Sequence, residues 1–318
     1  MNVDDIKKIA IVGAGLMGHG IAQEFALAGY DVHIHDITND KLQQAIKNIQ
    51  ANLQMLIKIG TVTQKQAESV LKNIHPGIEL KDVVAEADVV IETVLENLEL
   101  KQEIFRQLDQ LCPEHTILAS NTSTLMPSML ASSTQRPDKV LVAHYFNPPY
   151  LLPLVEIVRH KETSDETVTT IYDLLTRAGK SPAIVQKEVP GFIGNRLQLA
   201  LLREALSIVE QGIATPQDVD VVVKNGFGRR FAAAGPFEIL DIAGWDLVMA
   251  ATQYVLPDLE SSTDVSPVLK DKIEKGELGV KTGKGFYDWT PESAEALKQK
   301  IGQILVHLSI PKKFLTVL

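Results

Sequence analysis

The run Gly13-Ala14-Gly15-Leu16-Met17-Gly18 follows directly on an apolar stretch, Lys8-Ile9-Ala10-Ile11-Val12, and few folds accept that arrangement. The stretch reads as a buried strand. Gly20 to Ala28 reads as a helix closed by Gly29, and Tyr30 to His35 as a second strand ending at Asp36. Strand, G-x-G-x-x-G turn, helix and acid-terminated strand together form a dinucleotide-binding βαβ unit. Gly13 permits the tight turn, Gly15 lets backbone approach a pyrophosphate, and Gly18 lets helix and strand pack closely. Leu16 and Met17 complete the loop. The helix start offers free N–H groups and the positive end of its dipole to phosphates. Asp36 suits the ribose hydroxyls and repels a 2′-phosphate, and no arginine stands beside it. NAD is therefore expected over NADP.

The pattern continues beyond this unit. Asp40 to Gly60 is a long helix with Leu42, Ile46, Ile49, Leu53 and Leu56 at helical spacing, and Thr63 to Lys72 is another. Ala87–Glu92 and Thr116–Ala119 read as strands, with a helix over Leu98–Leu111 between them. Such alternation predicts a doubly wound, mostly parallel sheet of α/β class. Val140–Phe146 and Leu154–Val158 form two strand-like runs around an Asn147-Pro148-Pro149 turn. Ile184-Val185 is read as the last strand, and Pro190-Gly191 then punctuates the chain. From Phe192 the pattern is nearly all helical: Phe192–Gln211, Gln217–Lys224, Pro236–Val255 and Glu292–Leu308. The predicted division is a Rossmann-like domain over 1–188 and an all-helical domain over 189–318.

A chain of 318 residues is long enough for two such cores. A formal net charge of −9 argues against nucleic acid as the main partner. No apolar run reaches the ~18 residues of a membrane span, so no membrane role is expected. Nothing before Lys7 resembles a signal peptide. The single Cys112 fits a reducing, cytoplasmic compartment. No Cys/His grouping has zinc spacing, so no metal is expected. His33 and His35 read as structural histidines.

Four further stretches carry chemistry. They are Ser120-Asn121-Thr122-Ser123; His144-Tyr145-Phe146-Asn147-Pro148 with Leu154-Val155-Glu156; Pro190-Gly191-Phe192-Ile193-Gly194-Asn195-Arg196; and Lys281-Thr282-Gly283-Lys284-Gly285-Phe286-Tyr287. A histidine exchanges protons near neutrality, and an acidic partner fixes its tautomer. A hairpin can set His144 beside Glu156. With the N-terminal fingerprint, these motifs resemble the L-3-hydroxyacyl-CoA dehydrogenase family over nearly the whole chain. The resemblance implies hydride transfer from a substrate 3-hydroxyl carbon to NAD, with a place in fatty acid metabolism. It implies that His144 takes the hydroxyl proton, that Glu156 holds the imidazole, and that Ser123 and Asn195 hydrogen-bond substrate oxygens. It implies that Glu96, Lys101, Ser123, Asn147 and Lys281 touch the dinucleotide. It also implies a homodimer formed through the helical domain.

The chain departs from the pattern in three places. Residues 40–72 resemble the family's substrate clamp, where acyl-CoA members present lysines, but the matching places hold Asn52, Met55 and Ile59. Lys58 is the nearest charge and the candidate CoA contact. The run Asn147 to Pro153 resembles CoA-free relatives of the gulonate dehydrogenase (lambda-crystallin) and carnitine dehydrogenase branch. So does Phe227-Gly228-Arg229-Arg230-Phe231, whose arginines suit a carboxylate. A short L-3-hydroxyacyl-CoA is the expected substrate, with a CoA-free hydroxy acid as the alternative. A non-catalytic NAD-binding structural protein is the third reading, and the set Ser123, His144, Glu156 and Asn195 argues against it.

Overall fold

A computed structural model describes residues 1–309, with Ser309 as backbone only. The final nine residues assigned above to the helical domain lie outside the described residues. The chain divides into two compact units, Met1–Asn195 and Arg196–Leu308.

The first unit is built on eight strands: β1 (Lys8–Val12), β2 (Asp31–His35), β3 (Ile74–Gly77), β4 (Val89–Glu92), β5 (Ile117–Ser120), β6 (Val140–Tyr145), β7 (Leu154–Val158) and β8 (Ser181–Val185). Their order is β3-β2-β1-β4-β5-β6-β7-β8. Every neighbouring pair is parallel except β6–β7. The sheet is the expected mostly parallel Rossmann-like one. Continuous apolar runs make its central strands, because both faces are covered. Ala10, Val12, Val90, Leu118 and Val140 are buried with Phe105 and Leu108 from one covering helix.

The unit's helices are α1 (Gly18–Leu27), α2 (Asn39–Lys58), α3 (Gln64–Lys72), α4 (Leu80–Val84), α5 (Leu98–Leu111), α6 (Pro127–Ala131) and α7 (Asp165–Arg177). Side-chain caps set their starts: Thr38 accepts from Lys41 N–H at α2, Asn97 from Leu100 N–H at α5, and Thr63 pairs reciprocally with Gln66 at α3. Strand β3 and helices α4, α6 and α7 go beyond the elements read from the sequence. Pro76 hides β3, since proline disfavours strands, yet β3 is the sheet edge, where a missing N–H is tolerated.

The second unit is all helical after α8 (Gly194–Glu210), which starts at the end of the first. It holds α9 (Pro216–Asn225), α10 (Phe227–Phe231), α11 (Pro236–Ala243), α12 (Trp245–Val255), α13 (Pro267–Glu274) and α14 (Pro291–Ser309). The single helix expected over Pro236–Val255 is broken. Gly244 takes φ +92°, and the segments on either side bend by 108°. A left-handed φ cannot continue an α-helix, and glycine adopts it without Cβ strain. Among the described residues, no single helix is long and apolar enough to cross a membrane.

Candidate active site

The β6–β7 hairpin brings together the two residues expected to exchange and stabilise the proton. Its antiparallel register places His144 directly opposite Glu156. His144 Nδ1 lies 2.9 Å from Glu156 Oε2, and both side chains are buried. The other carboxylate oxygen accepts from the N–H groups of Ile193 (2.9 Å) and Gly194 (2.8 Å), at the start of α8. Burial works against the charged form of Glu156. The hydrogen bonds from His144, Gly194 and Ile193 outweigh that cost and hold the carboxyl below its usual range. The imidazole is wedged between Phe146, 4.7 Å away, and Phe192, 5.6 Å away. Phe192 is fully buried at φ +50°, a conformation that costs energy for a residue with a Cβ. It is tolerated because the turn delivers two N–H groups to Glu156. His144 Nε2 has no protein partner among the described residues.

Asn195 also belongs to this cluster, its Nδ2 donating to the Ser123 carbonyl at 3.2 Å. The whole Pro190–Asn195 turn belongs to the first compact unit. Asn121 Oδ1 accepts from Tyr145 N–H at 2.9 Å and ties the Ser123 loop to β6. Sequence reading gave Asn121 no separate role, although it sits inside the Ser120–Ser123 motif.

The glycine loop fits a dinucleotide. A Cβ on Gly13, at φ +105°, would stand 2.9 Å from the Thr93 backbone, and one on Gly18 would stand 1.8 Å from the Gly13 carbonyl. A Cβ on Gly15 would meet no protein atom within 4 Å. Gly13 and Gly18 thus serve packing, while Gly15 faces open space where a phosphate can approach. Thr93, unremarked in the sequence, donates its hydroxyl to the Gly13 carbonyl at 2.7 Å and fixes the loop. Asp36 stands at the end of β2. Its carboxylate accepts from Ala14 N–H (2.9 Å) and Ile37 N–H (2.8 Å), and Lys41 Nζ lies 3.3 Å away.

Two of the residues expected at the dinucleotide are deeply engaged with protein. Lys101 is fully buried, with Nζ at 2.7 and 3.0 Å from the two oxygens of the equally buried Glu92. The same carboxylate accepts from Ser120 Oγ and Val94 N–H. Glu92 therefore locks the ends of β4 and β5 to α5 and is a structural anchor that the sequence did not flag. Glu96, 3.6 Å from Lys101 Nζ, accepts from the Thr122 and Thr124 hydroxyls and the Ser123 and Thr124 N–H groups. Burial opposes its charge, but these bonds prevail and hold its pKa down. Glu96 thereby shapes the loop carrying Ser123. Asn147 is exposed, Lys58 is exposed in the last turn of α2, and Lys281 belongs to the second unit. The buried Cys112 thiol is pushed up to about 12 by desolvation and is inert.

The comparisons agree with this architecture. Residues 8–189 match the family model for the 3-hydroxyacyl-CoA dehydrogenase NAD-binding domain, and residues 191–289 that for its C-terminal domain. The chain is 34% identical over 301 residues to a 5-formyl-3-hydroxy-2-methylpyridine 4-carboxylate 5-dehydrogenase of Mesorhizobium japonicum, covering 95% of this chain and 96% of that relative. A crystal structure of an enzyme of that name, described as an NAD+-dependent dismutase, superposes with a TM-score of 0.89, covering 95% of this chain and 97% of the other. A probable 3-hydroxybutyryl-CoA dehydrogenase of Bacillus subtilis is 35% identical, covering 91% of this chain and all of the relative. The (S)-3-hydroxybutyryl-CoA dehydrogenase of Ralstonia eutropha superposes with a TM-score of 0.76 at 34% identity, covering 90% of this chain and 100% of that one. By sequence, sheet order and NAD-binding loop, this chain is an NAD-dependent oxidoreductase and belongs to the 3-hydroxyacyl-CoA dehydrogenase family.

Proposed function

We propose that the chain oxidises, reversibly, the 3-hydroxyl of a short-chain L-3-hydroxyacyl-CoA, with His144 as the acid–base group. The 2.9 Å contact between His144 Nδ1 and Glu156 carries this reading. It commits one ring nitrogen to the carboxylate and leaves Nε2 for a substrate hydroxyl. NAD supplies the acceptor for the hydride. His144 removes the hydroxyl proton at Nε2, and Glu156 stabilises the imidazolium that forms. Ser123 and Asn195 hold the substrate oxygen. Gly13, Gly15, Leu16, Met17 and Gly18 cradle the pyrophosphate, Asp36 takes the ribose, and Glu96 and Asn147 support the rest of the dinucleotide, with Lys101 acting only through its pairing with Glu92 and Glu96. Lys58 is the CoA contact. The helical domain pairs two chains as a homodimer, in support of which it leaves Phe237, Ile242 and Tyr254 largely exposed. The setting is cytoplasmic.

A second substrate reading rests on α2. Where the family places lysines, Met55 and Ile59 are half-buried apolar side chains and Asn52 keeps a buried Nδ2 without a partner. A face of that kind gives little to a ligand with several phosphate charges. The pyridine carboxylate dehydrogenase superposes better than the hydroxybutyryl-CoA dehydrogenase of the two structures above, which supports a CoA-free carboxylated substrate. The exposed Arg229 and Arg230 suit its carboxylate. A panel of 3-hydroxyacyl-CoA esters and free hydroxy carboxylates, followed by NADH formation, decides between the readings. Turnover confined to the free acids removes the CoA reading. No turnover with either class, in protein that binds NAD, removes both.

A further inference from the structure

Three side chains with metal-binding donors meet at the outer edge of the sheet, away from the chemistry above. They are Asp31 and His33 on β2 and His75 on β3. Asp31 and His33, two residues apart on one strand, project from the same face, and register pairs His33 with His75. Parallel pairing thus brings together residues that 42 positions separate in the chain, which is why no ligand spacing shows in the sequence. One carboxylate spans both rings: Asp31 Oδ1 lies 2.8 Å from His75 Nε2, and Oδ2 lies 3.4 Å from His33 Nε2. The rings sit 5.0 Å apart, and all three ligand atoms fall within 4.8 Å of one another.

We propose that Asp31, His33 and His75 form a binding site for a divalent transition-metal ion, of the Zn2+ or Ni2+ type. Two imidazoles and one carboxylate are the donor set those ions prefer, whereas Mg2+ and Ca2+ want oxygen alone. Bonds of about 2.1 Å at tetrahedral angles put ligand atoms roughly 3.4 Å apart. The observed spacing reaches that by small rotations of side chains that are only partly covered. His75 retains 49% of its side-chain exposure, so an ion has access, and its remaining positions go to solvent. The neighbouring Lys8, in register with Asp31 on β1, is paired with Glu86, which offsets part of the positive charge it brings near the cluster. A bound ion would staple β3, the short proline-containing edge strand, to β2. The site is independent of the substrate reading, since it shares no residue with the loop or the His144 cluster.

The test is calorimetric titration of untagged, chelator-treated protein with ZnCl2, NiCl2 and, as the hard-ion control, MgCl2. One equivalent of Zn2+ or Ni2+ is expected to bind and to raise the melting temperature, with no response to Mg2+. His75→Ala and His33→Asn should each weaken binding by roughly 10–100-fold or more, at least the loss that follows removal of a metal ligand's supporting partner. NAD binding by each variant verifies its fold. His75→Ala, at the more exposed position, keeps the test valid should His33→Asn not fold. Absence of stoichiometric Zn2+ and Ni2+ binding, or binding that a folded His75→Ala retains at full strength, overturns the proposal.

Discussion

The two compact units spend their apolar residues differently. In the first, β1, β4, β5 and β6 are buried almost end to end, and Phe25, Phe105 and Phe192 are sealed inside. In the second, Leu206, Ser207, Ala294 and Val306 are the buried residues among those described, while Ile242 and Tyr254 are 88% and 87% exposed. A parallel sheet covered on both faces closes its own core. Short helices that leave aromatic and aliphatic side chains outward do not close a core in this way, and contiguous apolar surface of that kind is what interaction sites present. The His144–Glu156 pair is thus positioned inside one self-contained unit, whereas the helical unit leaves many of its apolar side chains uncovered.

That contrast can be broken most severely at His144. His144→Gln should reduce kcat by roughly 10²–10⁴, the range usual for a lost general acid–base group. NAD affinity and assembly state should stay as they are. A near-normal kcat rules out His144 as the proton acceptor. Glu156→Gln should also be slow, and it carries a stability signature. The folded carboxyl titrates below its unfolded value of about 4.3, because hydrogen bonds to His144, Gly194 and Ile193 outweigh burial. Its stabilisation is therefore present above that value and lost as pH falls through the folded pKa. Thermal melts of wild type and Glu156→Gln should differ near neutrality and converge in acid. A gap independent of pH contradicts this account.

An opposite break targets the helical unit. Ile242→Glu should shift the chain from dimer to monomer in sedimentation while leaving NAD binding intact. Burying one such side chain contributes about 1.5–3 kcal/mol, or roughly tenfold to a hundredfold in the association constant. If wild type is itself monomeric at micromolar concentration, the exposed faces need another explanation.

Asp36→Ala tests a smaller effect within the first unit. It removes the ribose acceptor and frees Lys41, now 3.3 Å from that carboxylate, to meet a 2′-phosphate. NAD binding should weaken and NADP binding strengthen, narrowing the ratio of their dissociation constants. An unchanged ratio takes Asp36 off the ribose. The smallest effect is expected at Lys58. If CoA is carried by α2, Lys58→Ala should raise KM for acetoacetyl-CoA with kcat little changed, since remote binding is uniform between ground and transition states. No change there, with Met55→Lys improving CoA-ester binding, favours the CoA-free reading.

Much of this was legible in residues. Gly13 to Gly18, in their place after a strand, dictate a βαβ unit because only glycine fits against Thr93 and the Gly13 carbonyl. Alternating apolar runs dictate the sheet, and His144 and Glu156 lie on two strands that a short turn can only pair antiparallel. Three things required tertiary structure. The break at Gly244 depends on a backbone angle, and a periodic apolar pattern runs through it unchanged. Lys101 reads as a solvated or cofactor-facing charge until Glu92 and Lys101 are seen to neutralise each other out of water. The grouping of Asp31, His33 and His75 exists only because β3 joins the sheet edge in parallel register with β2. Local sequence encodes periodicity and turn chemistry. Which distant side chains share a dielectric, a carboxylate or an ion is decided by the register of strands that the chain brings together from far apart.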